Sequence, residues 1–261
     1  MAEELPTIEA TGFSLKQTGP TGRWFLQGIT LAVRPGRILA IIGPTGSGKS
    51  TFLKSIDRLC ELEFPVQTEG LLKVQGQDVY DPKTDVLALR RKVGMVFSRP
   101  SLPVPGIFDN VALAPRMMGI HDKAVLAQIV EHSLRQVGMW ETLGNRLSEN
   151  ANGLAIEAQQ RLCIARVLAA EPVALLFDEP TAHLDYPTAG HIEDLICELA
   201  KKYPVVIGAQ TPQQASHVAD DTAFFWEGRL VEMGPTEEVL TNPKDPRTEN
   251  YVTGRFGESG A

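Results

Sequence analysis

The chain has 261 residues, of which 43% are hydrophobic and 22% charged, and its formal net charge is -7. This composition is that of an ordinary globular protein and excludes collagen-like, coiled-coil and disordered chains. The negative charge argues against a dedicated nucleic-acid-binding protein, because such proteins hold phosphates with an excess of Lys and Arg. We therefore expect no nucleic-acid partner.

No segment predicts export or membrane insertion. No apolar run approaches the roughly 20 residues of a membrane span, and the acidic start Met1-Ala-Glu-Glu is unlike a basic secretory signal. The cysteines Cys60, Cys163 and Cys197 are far apart and flanked by apolar residues, which favours core thiols over a disulfide framework or a zinc site. We expect a cytoplasmic protein.

Short apolar runs alternate with helical patterns along the chain. The run Ile38–Ile42 predicts a strand buried on both faces, followed by a glycine-rich turn and a helix over residues 50–60. Residues 173–177 and 205–207 predict two more central strands, with a helix between them that carries apolar residues at helical spacing: Ile192, Leu195, Ile196 and Leu199. Alternation of this kind predicts a mostly parallel α/β sheet.

Residues 98–171 differ from the rest, because their pattern is helical and contains no convincing strand. One helix is marked by an apolar stripe formed by Leu126, Ile129, Val130, Leu134 and Val137. We interpret the chain as one domain, residues 1–261, in which 1–97 and 172–261 form the α/β core and 98–171 form an inserted helical subdomain.

The C-terminal part predicts a hairpin and a helix. Residues 223–226 and 229–233 are two strand-like runs joined through Glu227-Gly228, and residues 236–240 form a short helical pattern behind them. The last dozen residues are polar, and we expect them to wrap the surface.

The strongest motif is Gly43-Pro-Thr-Gly-Ser-Gly-Lys-Ser50, which fits Gly-x-x-x-x-Gly-Lys-Ser/Thr in every required position. Its glycines leave room for backbone N–H groups to surround nucleotide phosphates. Lys49 adds a positive charge, and Ser50 can ligate Mg²⁺. The sequence predicts that the phosphates are bound by Gly43, Pro44, Thr45, Gly46, Ser47, Gly48, Lys49, Ser50 and Thr51, which we call the phosphate loop.

A second motif, Asp178-Glu179, ends an apolar run. A carboxylate at the end of a neighbouring strand can hold Mg²⁺ together with Ser50, and the next residue can orient an attacking water. The alternative, a charge pair at a helix N-terminus, is disfavoured by the presence of the phosphate loop. We take Glu179 and Lys49 as candidate catalytic residues, Ser50 and Asp178 as candidate metal ligands, and a nucleotide with Mg²⁺ as the expected ligands.

Several segments together resemble the ATP-binding subunits of ABC transporters, over nearly the whole chain: the phosphate loop, the helical insert, residues 159–166, residues 175–180 and Leu184-Asp185. More narrowly, four segments resemble the ATPase of bacterial phosphate importers: residues 93–97, 160–166, 222–225 and the tail 248–257. The resemblance implies an ABC-type P-loop NTPase core with a mostly parallel sheet, an antiparallel β part and an inserted helical subdomain.

The resemblance also implies partners and a location. In that family, two ATPase subunits close head to tail, and each ATP lies between the phosphate loop of one subunit and the signature helix of the other. Integral membrane permease subunits are contacted mainly by the helical insert. We therefore expect permease partners, a second ATPase subunit that is either a copy of this chain or an intact paralogue, and a peripheral position at the inner face of the cell membrane.

The sequence departs most from the family at the signature. Leu-Ser-Gly-Gly-Gln is expected, and Leu154-Ala-Ile-Glu-Ala158 stands in its place. Ile156 adds bulk, and Glu157 places a carboxylate near a phosphate, a repulsion of roughly 4 kcal/mol at about 4 Å and an effective dielectric constant near 20. Alternatively, Glu157 complements its own helix dipole and Ile156 packs into the core. Either interpretation removes the anion site.

Three further departures concern the nucleotide. Ser98 replaces a glutamine that touches Mg²⁺ in the family, and Gln210 replaces a histidine that senses the γ-phosphate. The aromatic residue that stacks on adenine is missing from its usual place, which leaves Phe13 and Trp24 as substitutes. We expect His183 to be a solvated interface residue rather than a replacement for the missing histidine.

Two functions remain open. The first is an ATP-hydrolysing subunit of a phosphate importer, and the second is a degenerate ATP-binding paralogue that regulates or pairs with an intact ATPase subunit. Loss of one positioned donor commonly costs roughly 100-fold to 1000-fold in rate, so several losses predict slow turnover and a weak or absent ATP-driven homodimer. A soluble ABC protein of translation or repair is disfavoured, because such chains generally carry two ATPase domains or long coiled-coil inserts.

Overall fold

The computed structural model describes residues 5–19 and 22–255. Its strands, in chain order, are β1 (Ile8–Gln17), β2 (Trp24–Val33), β3 (Ile38–Ile42), β4 (Val66–Val74), β5 (Gln77–Asp78), β6 (Val93–Val96), β7 (Ala174–Asp178), β8 (Val205–Gly208), β9 (Asp221–Trp226) and β10 (Arg229–Pro235). Its α-helices are α1 (Lys49–Ile56), α2 (Cys60–Glu63), α3 (Val86–Lys92), α4 (Ile107–Met117), α5 (Lys123–Gln136), α6 (Trp140–Leu143), α7 (Ile156–Leu168), α8 (Tyr186–Ala200), α9 (Pro212–Val218), α10 (Thr236–Thr241) and α11 (Pro246–Val252).

The central sheet has six strands in the order β10-β9-β3-β8-β7-β6. All neighbours are parallel except β10, which pairs with β9 as the expected antiparallel hairpin. The predicted central strands β3, β7 and β8 are therefore confirmed, as is the mostly parallel α/β fold.

Both faces of this sheet are covered by hydrophobic cores. In β3, Ile38, Ala40 and Ile42 join the core that contains α4, α5 and α7, whereas Leu39 and Ile41 join the core that contains α1 and the second sheet. Alternate residues of a strand point to opposite faces, so a strand covered on both sides must be apolar throughout. This is why the sequence pattern of β3 is continuous rather than alternating.

The second sheet is antiparallel, with strand order β2-β1-β4-β5. A bulge in β1 near Gly12, whose φ is +58°, shifts the register between Ala10 and Phe13. The extra residue keeps both Ala10 and Phe13 on the buried face, although their spacing alone places them on opposite faces.

The segment between residues 98 and 171 is helical, as expected, with one isolated bridge between Gly106 and Asn150. Helices α4, α5 and α7 pack against one another. The apolar stripe of α5 faces this contact, because Leu126, Val130 and Leu134 are buried in the same core as residues of α4 and α7.

One expectation about a helix was wrong. The helix predicted over residues 50–60 ends at Ile56, because Arg58 takes a left-handed conformation with φ of 59° and the Asp57 side chain accepts the N–H of Leu59. Of the last dozen residues, which we expected to wrap the surface, 250–255 are half-buried or exposed, and Tyr251 packs on the sheet with its ring 5.3 Å from that of Phe224. Residues 256 to 261, including the end of the tail segment 248–257, lie outside the described residues.

Candidate nucleotide site

The phosphate loop joins β3 to α1, and its glycines have conformations that other residues rarely adopt. Gly43 has φ of +146°, and a Cβ atom there would lie 2.2 Å from the carbonyl oxygen of Phe225. Gly48, immediately before α1, has φ of +105° and a Cβ atom there would meet Leu26 at 3.0 Å. The backbone at both positions is therefore accessible only to glycine.

The loop presents donors without acceptors. Among the described residues, the N–H groups of Gly46, Gly48, Lys49, Ser50 and Thr51 make no hydrogen bond. They lie at and before the N-terminus of α1, where the helix dipole is positive. Such unpaired N–H groups fit an anionic ligand and are suited to a row of phosphate oxygens.

Lys49 is almost buried and rests on the loop itself. Its Nζ donates to the carbonyl oxygens of Gly43 at 2.7 Å and Pro44 at 3.2 Å, and it lies 3.8 Å from a carboxylate oxygen of Glu179. Burial lowers the pKa of Lys49, while the charges of Glu179 and Asp178 oppose that change. The ammonium group is held beside the loop by contacts that a phosphate can replace.

Ser50 and Asp178 come together as the sequence predicts. The Ser50 hydroxyl donates to Asp178 Oδ1 at 2.7 Å, although the two residues are 128 positions apart. Burial raises the pKa of Asp178, and the hydrogen bond from Ser50 opposes that rise. A hydroxyl and a carboxylate are hard oxygen ligands, and Mg²⁺ needs only one or two protein ligands because it retains water, so this pair fits the ion.

Glu179 follows β7 in a left-handed conformation, with φ of 49°. Its N–H donates to the carbonyl oxygen of Gly208 at 3.0 Å, and its side chain is 33% exposed, facing Lys49. This combination of a fixed backbone and a partly open carboxylate is suited to holding a water molecule.

Two buried glutamines, to which the motifs assign no role, hold the surrounding loops. Gln160 of α7 donates from Nε2 to the carbonyl oxygens of Phe97 at 2.8 Å and Pro180 at 3.0 Å. Gln214 of α9 donates to Thr181 Oγ1 at 2.7 Å and accepts the N–H of Gln210 at 2.9 Å. For Gln160, the sequence carried one indication of such a role. It precedes the buried Ile164 by four residues and is therefore a polar residue on the buried face of α7.

A pocket of about 550 Å³ opens over the loop. Besides the loop, its lining includes Trp24, Phe25, Glu179 and Gly228. Trp24 is 37% exposed and its ring lies 4.8 Å from the Lys16 ammonium group. Phe13, the other substitute considered for adenine stacking, is buried and stacks on Tyr80 at 5.6 Å, so it does not line this pocket.

In the segment 154–158, α7 begins after Ala155 without a side-chain cap. Ile156 is 50% exposed, so the expectation that it packs into the core was wrong. Glu157 accepts from Arg161 Nε at 3.0 Å and lies 3.4 Å from His191 Nδ1. The Glu157 carboxylate therefore contacts its own helix and α8, which reduces its repulsion toward any phosphate nearby.

The other residues considered for the nucleotide site differ in exposure. Ser98 is half-buried and Gln210 is exposed. His183 is exposed and its Nε2 accepts a hydrogen bond from Arg99 Nε at 3.1 Å, which links the start of the helical segment to the loop after Glu179.

The fold and the phosphate loop define a P-loop nucleotide-binding protein of the α/β class. Residues 26–182, more than half of the chain, match the family model described as ABC transporter. The chain therefore belongs to the ABC transporter family, whose ATPase domains generally hydrolyse ATP.

Two solved structures show the same fold. CbiO1 from Clostridium perfringens, part of the ABC transporter complex cbiONQ, is 23% identical with a TM-score of 0.80, and the alignment covers 98% of each chain. The ATP-binding cassette MJ0796, a dimer in a post-hydrolysis state bound to ADP and Pi, is 25% identical with a TM-score of 0.73, and the alignment covers 88% of this chain and 98% of that one. Across residues 5–19 and 22–255, no helix has both the length and the apolar character needed to cross a bilayer.

Proposed function

We propose that this chain is the ATP-binding subunit of a phosphate-type ABC importer, which binds Mg-ATP, hydrolyses it slowly and couples it to transport. The observation that carries the proposal is the phosphate loop, whose unpaired N–H groups lie beside Lys49 at the start of α1. The choice of phosphate as cargo rests on the resemblance of residues 93–97, 160–166, 222–225 and 248–257 to phosphate-importer ATPases.

Each side chain of the site has a role in this proposal. The loop from Gly43 to Thr51 binds the phosphates, and Lys49 leaves the Gly43 carbonyl to contact them. Glu179 accepts a hydrogen bond from the attacking water and orients it. Ser50 and Asp178 would hold Mg²⁺, which when bound neutralises charge that develops on the phosphates.

Slow turnover is expected because of the residues at the start of α7. In the family, this helix start offers a hydroxyl and N–H groups to the ATP of the opposite subunit, whereas here it carries the exposed Ile156 and the carboxylate of Glu157. The same observation favours the second candidate, a degenerate paralogue that binds ATP and regulates or pairs with an intact ATPase subunit. Pairing with an intact subunit would not restore either ATP site. One site would lack the family glutamine and histidine on this chain, and the other would lack the family signature.

Trp24 is the residue we propose to stack on the base, because it is the exposed indole in the wall of the pocket above the loop.

The proposed partners are permease subunits at the inner face of the membrane and a second ATPase subunit. Exposed apolar side chains on and beside the helical segment, namely Phe97, Met117 and Met118, support the permease contact, and Phe97 and Met117 line one groove. We also propose the division into an α/β nucleotide-binding core, residues 1–97 and 172–261, and a helical subdomain, residues 98–171.

The test is phosphate release from Mg-ATP by the purified chain, with ATP affinity measured on the same samples. Lys49→Ala removes the loop ammonium group, and Lys202→Ala is the matched control because Lys202 is exposed in a turn after α8. We expect ATP binding that is lost in Lys49→Ala and retained in Lys202→Ala.

The rate separates the two candidates. Turnover that depends on Lys49, even well below about one per second, supports the ATPase subunit. Binding with no turnover dependent on Lys49 supports the regulatory paralogue. Absence of ATP binding by the unaltered chain would overturn both.

A further inference from the structure

The C-terminal helix α11 reaches the phosphate loop through one side chain. The Tyr251 hydroxyl donates to the carbonyl oxygen of Gly43 at 3.2 Å, although 208 residues separate them. The same carbonyl oxygen accepts Lys49 Nζ at 2.7 Å. Gly43 is therefore held by two side-chain donors, one from the loop and one from the end of the described chain.

The surroundings fix the position of Tyr251. Its ring packs 5.3 Å from that of Phe224, which pairs with Ile42 at the end of β3, directly before Gly43. The approach to α11 is held from β10, because the carboxylate of Glu232 accepts the N–H groups of Lys244 at 2.8 Å and Asp245 at 3.2 Å. Helix α11 is thus anchored at its start by Glu232 and near its end by Tyr251.

The two donors to Gly43 have different fates when a nucleotide binds. For Lys49 to contact a phosphate, its ammonium group must leave the Gly43 carbonyl. A buried carbonyl left without a donor is unfavourable, so a second donor that stays in place lowers the cost of this movement. Burial raises the pKa of Tyr251, the hydrogen bond with the Gly43 backbone opposes that rise, and the charge of Glu179 adds to it, so the hydroxyl remains a protonated donor at neutral pH.

We propose that Tyr251 is a positioning residue for nucleotide binding: its hydroxyl holds the Gly43 carbonyl and thereby frees Lys49 to bind the phosphates. The proposal rests on the function proposed above, and it extends the nucleotide site to the C-terminal helix. It implies that anything that displaces α11 lowers the affinity of the phosphate loop for Mg-ATP.

The experiment compares Tyr251→Phe with Tyr80→Phe in the full chain. Tyr80 is a matched control, because its hydroxyl also donates to a backbone carbonyl oxygen, that of Ser55, at 3.2 Å, but does not contact the phosphate loop. We expect Tyr251→Phe to weaken Mg-ATP binding about tenfold, and Tyr80→Phe to change it less than twofold. Thermal unfolding of the nucleotide-free proteins shows whether each variant is folded.

Unchanged Mg-ATP affinity in Tyr251→Phe, or equal weakening in both variants, would overturn the proposal. A second measurement uses the unaltered chain, in which Mg-ATP should slow hydrogen exchange of residues 246–252 because Tyr251 becomes the remaining side-chain donor to Gly43. Exchange there that does not respond to Mg-ATP, in a chain that binds Mg-ATP, also contradicts it. If the unaltered chain binds no Mg-ATP, the proposed function fails first, so the two failures are distinguishable.

Discussion

The buried carboxyl group of Asp57 makes the stability of this protein depend on pH. Asp57 follows α1 and is 2% exposed, and burial raises its pKa from 3.8 to about 7. The folded state therefore binds its proton more tightly than the unfolded chain does, so stability is lost as pH rises from 3.8 through 7. At about 1.4 kcal/mol per pKa unit, the Asp57 carboxyl group lowers the free energy of unfolding by roughly 4 kcal/mol at pH 8 and by under about 2 kcal/mol at pH 5, relative to a group that is protonated in both states.

Asp57→Asn removes the ionisation and retains an oxygen that can accept the N–H of Leu59, a hydrogen bond of 3.1 Å in the unaltered protein. We expect the variant to be more stable at pH 8, and its advantage to shrink by about 2 to 3 kcal/mol at pH 5. Urea unfolding of both proteins from pH 5 to 8 measures the difference, in which titration of all other groups cancels.

Asp245→Asn is the matched control, because Asp245 also accepts the N–H of the residue two positions on, at 2.8 Å. Its hydrogen bond with the Arg247 side chain holds its pKa below the usual range. The ionised Asp245 carboxylate therefore stabilises the fold at every pH above its unfolded pKa, and this contribution does not change between pH 5 and 8. The Asp245→Asn variant should lose the same free energy of unfolding across that range. An Asp57→Asn variant with no advantage at pH 8, or with an advantage independent of pH, would refute the assigned burial effect.

Three further predictions concern the nucleotide site. Gly43→Ala should lower the free energy of unfolding by about 2 to 4 kcal/mol in denaturant titrations and abolish ATP binding, because its Cβ would lie 2.2 Å from the Phe225 carbonyl oxygen; a variant of unaltered stability contradicts this. Trp24→Ala should weaken ATP about tenfold by calorimetry and leave tripolyphosphate unaffected, whereas equal losses would show that no base stacks there. Glu179→Gln with Mg-ATP should form a weak dimer or none by light scattering, and a clear ATP-dependent dimer would contradict the expectation that residues 154–158 weaken closure.

The sequence by itself determined the parts of this protein that depend on short stretches. The continuous apolar run Ile38–Ile42, the glycine spacing of the phosphate loop and the helical pattern of residues 98–171 each specify a local conformation, so they predicted the core strand, the loop and the helical segment. Pairing of Ser50 with Asp178 was also predictable, because the phosphate loop follows β3, Asp178 ends β7, and the carboxyl ends of parallel strands lie at one edge of a sheet.

Other features depend on contacts between distant residues, which local periodicity does not encode. The bulge at Gly12 places Phe13 on the buried face, whereas Trp24 lines the pocket above the phosphate loop. Contacts with Arg161 and His191 direct the Glu157 carboxylate toward its own helix and α8. Tyr251 looked like part of a polar surface tail, and only the packing of α11 on Phe224 brought its hydroxyl to Gly43. Local sequence patterns show which chemical groups are present and which element carries them, whereas contacts between distant residues decide where each group points.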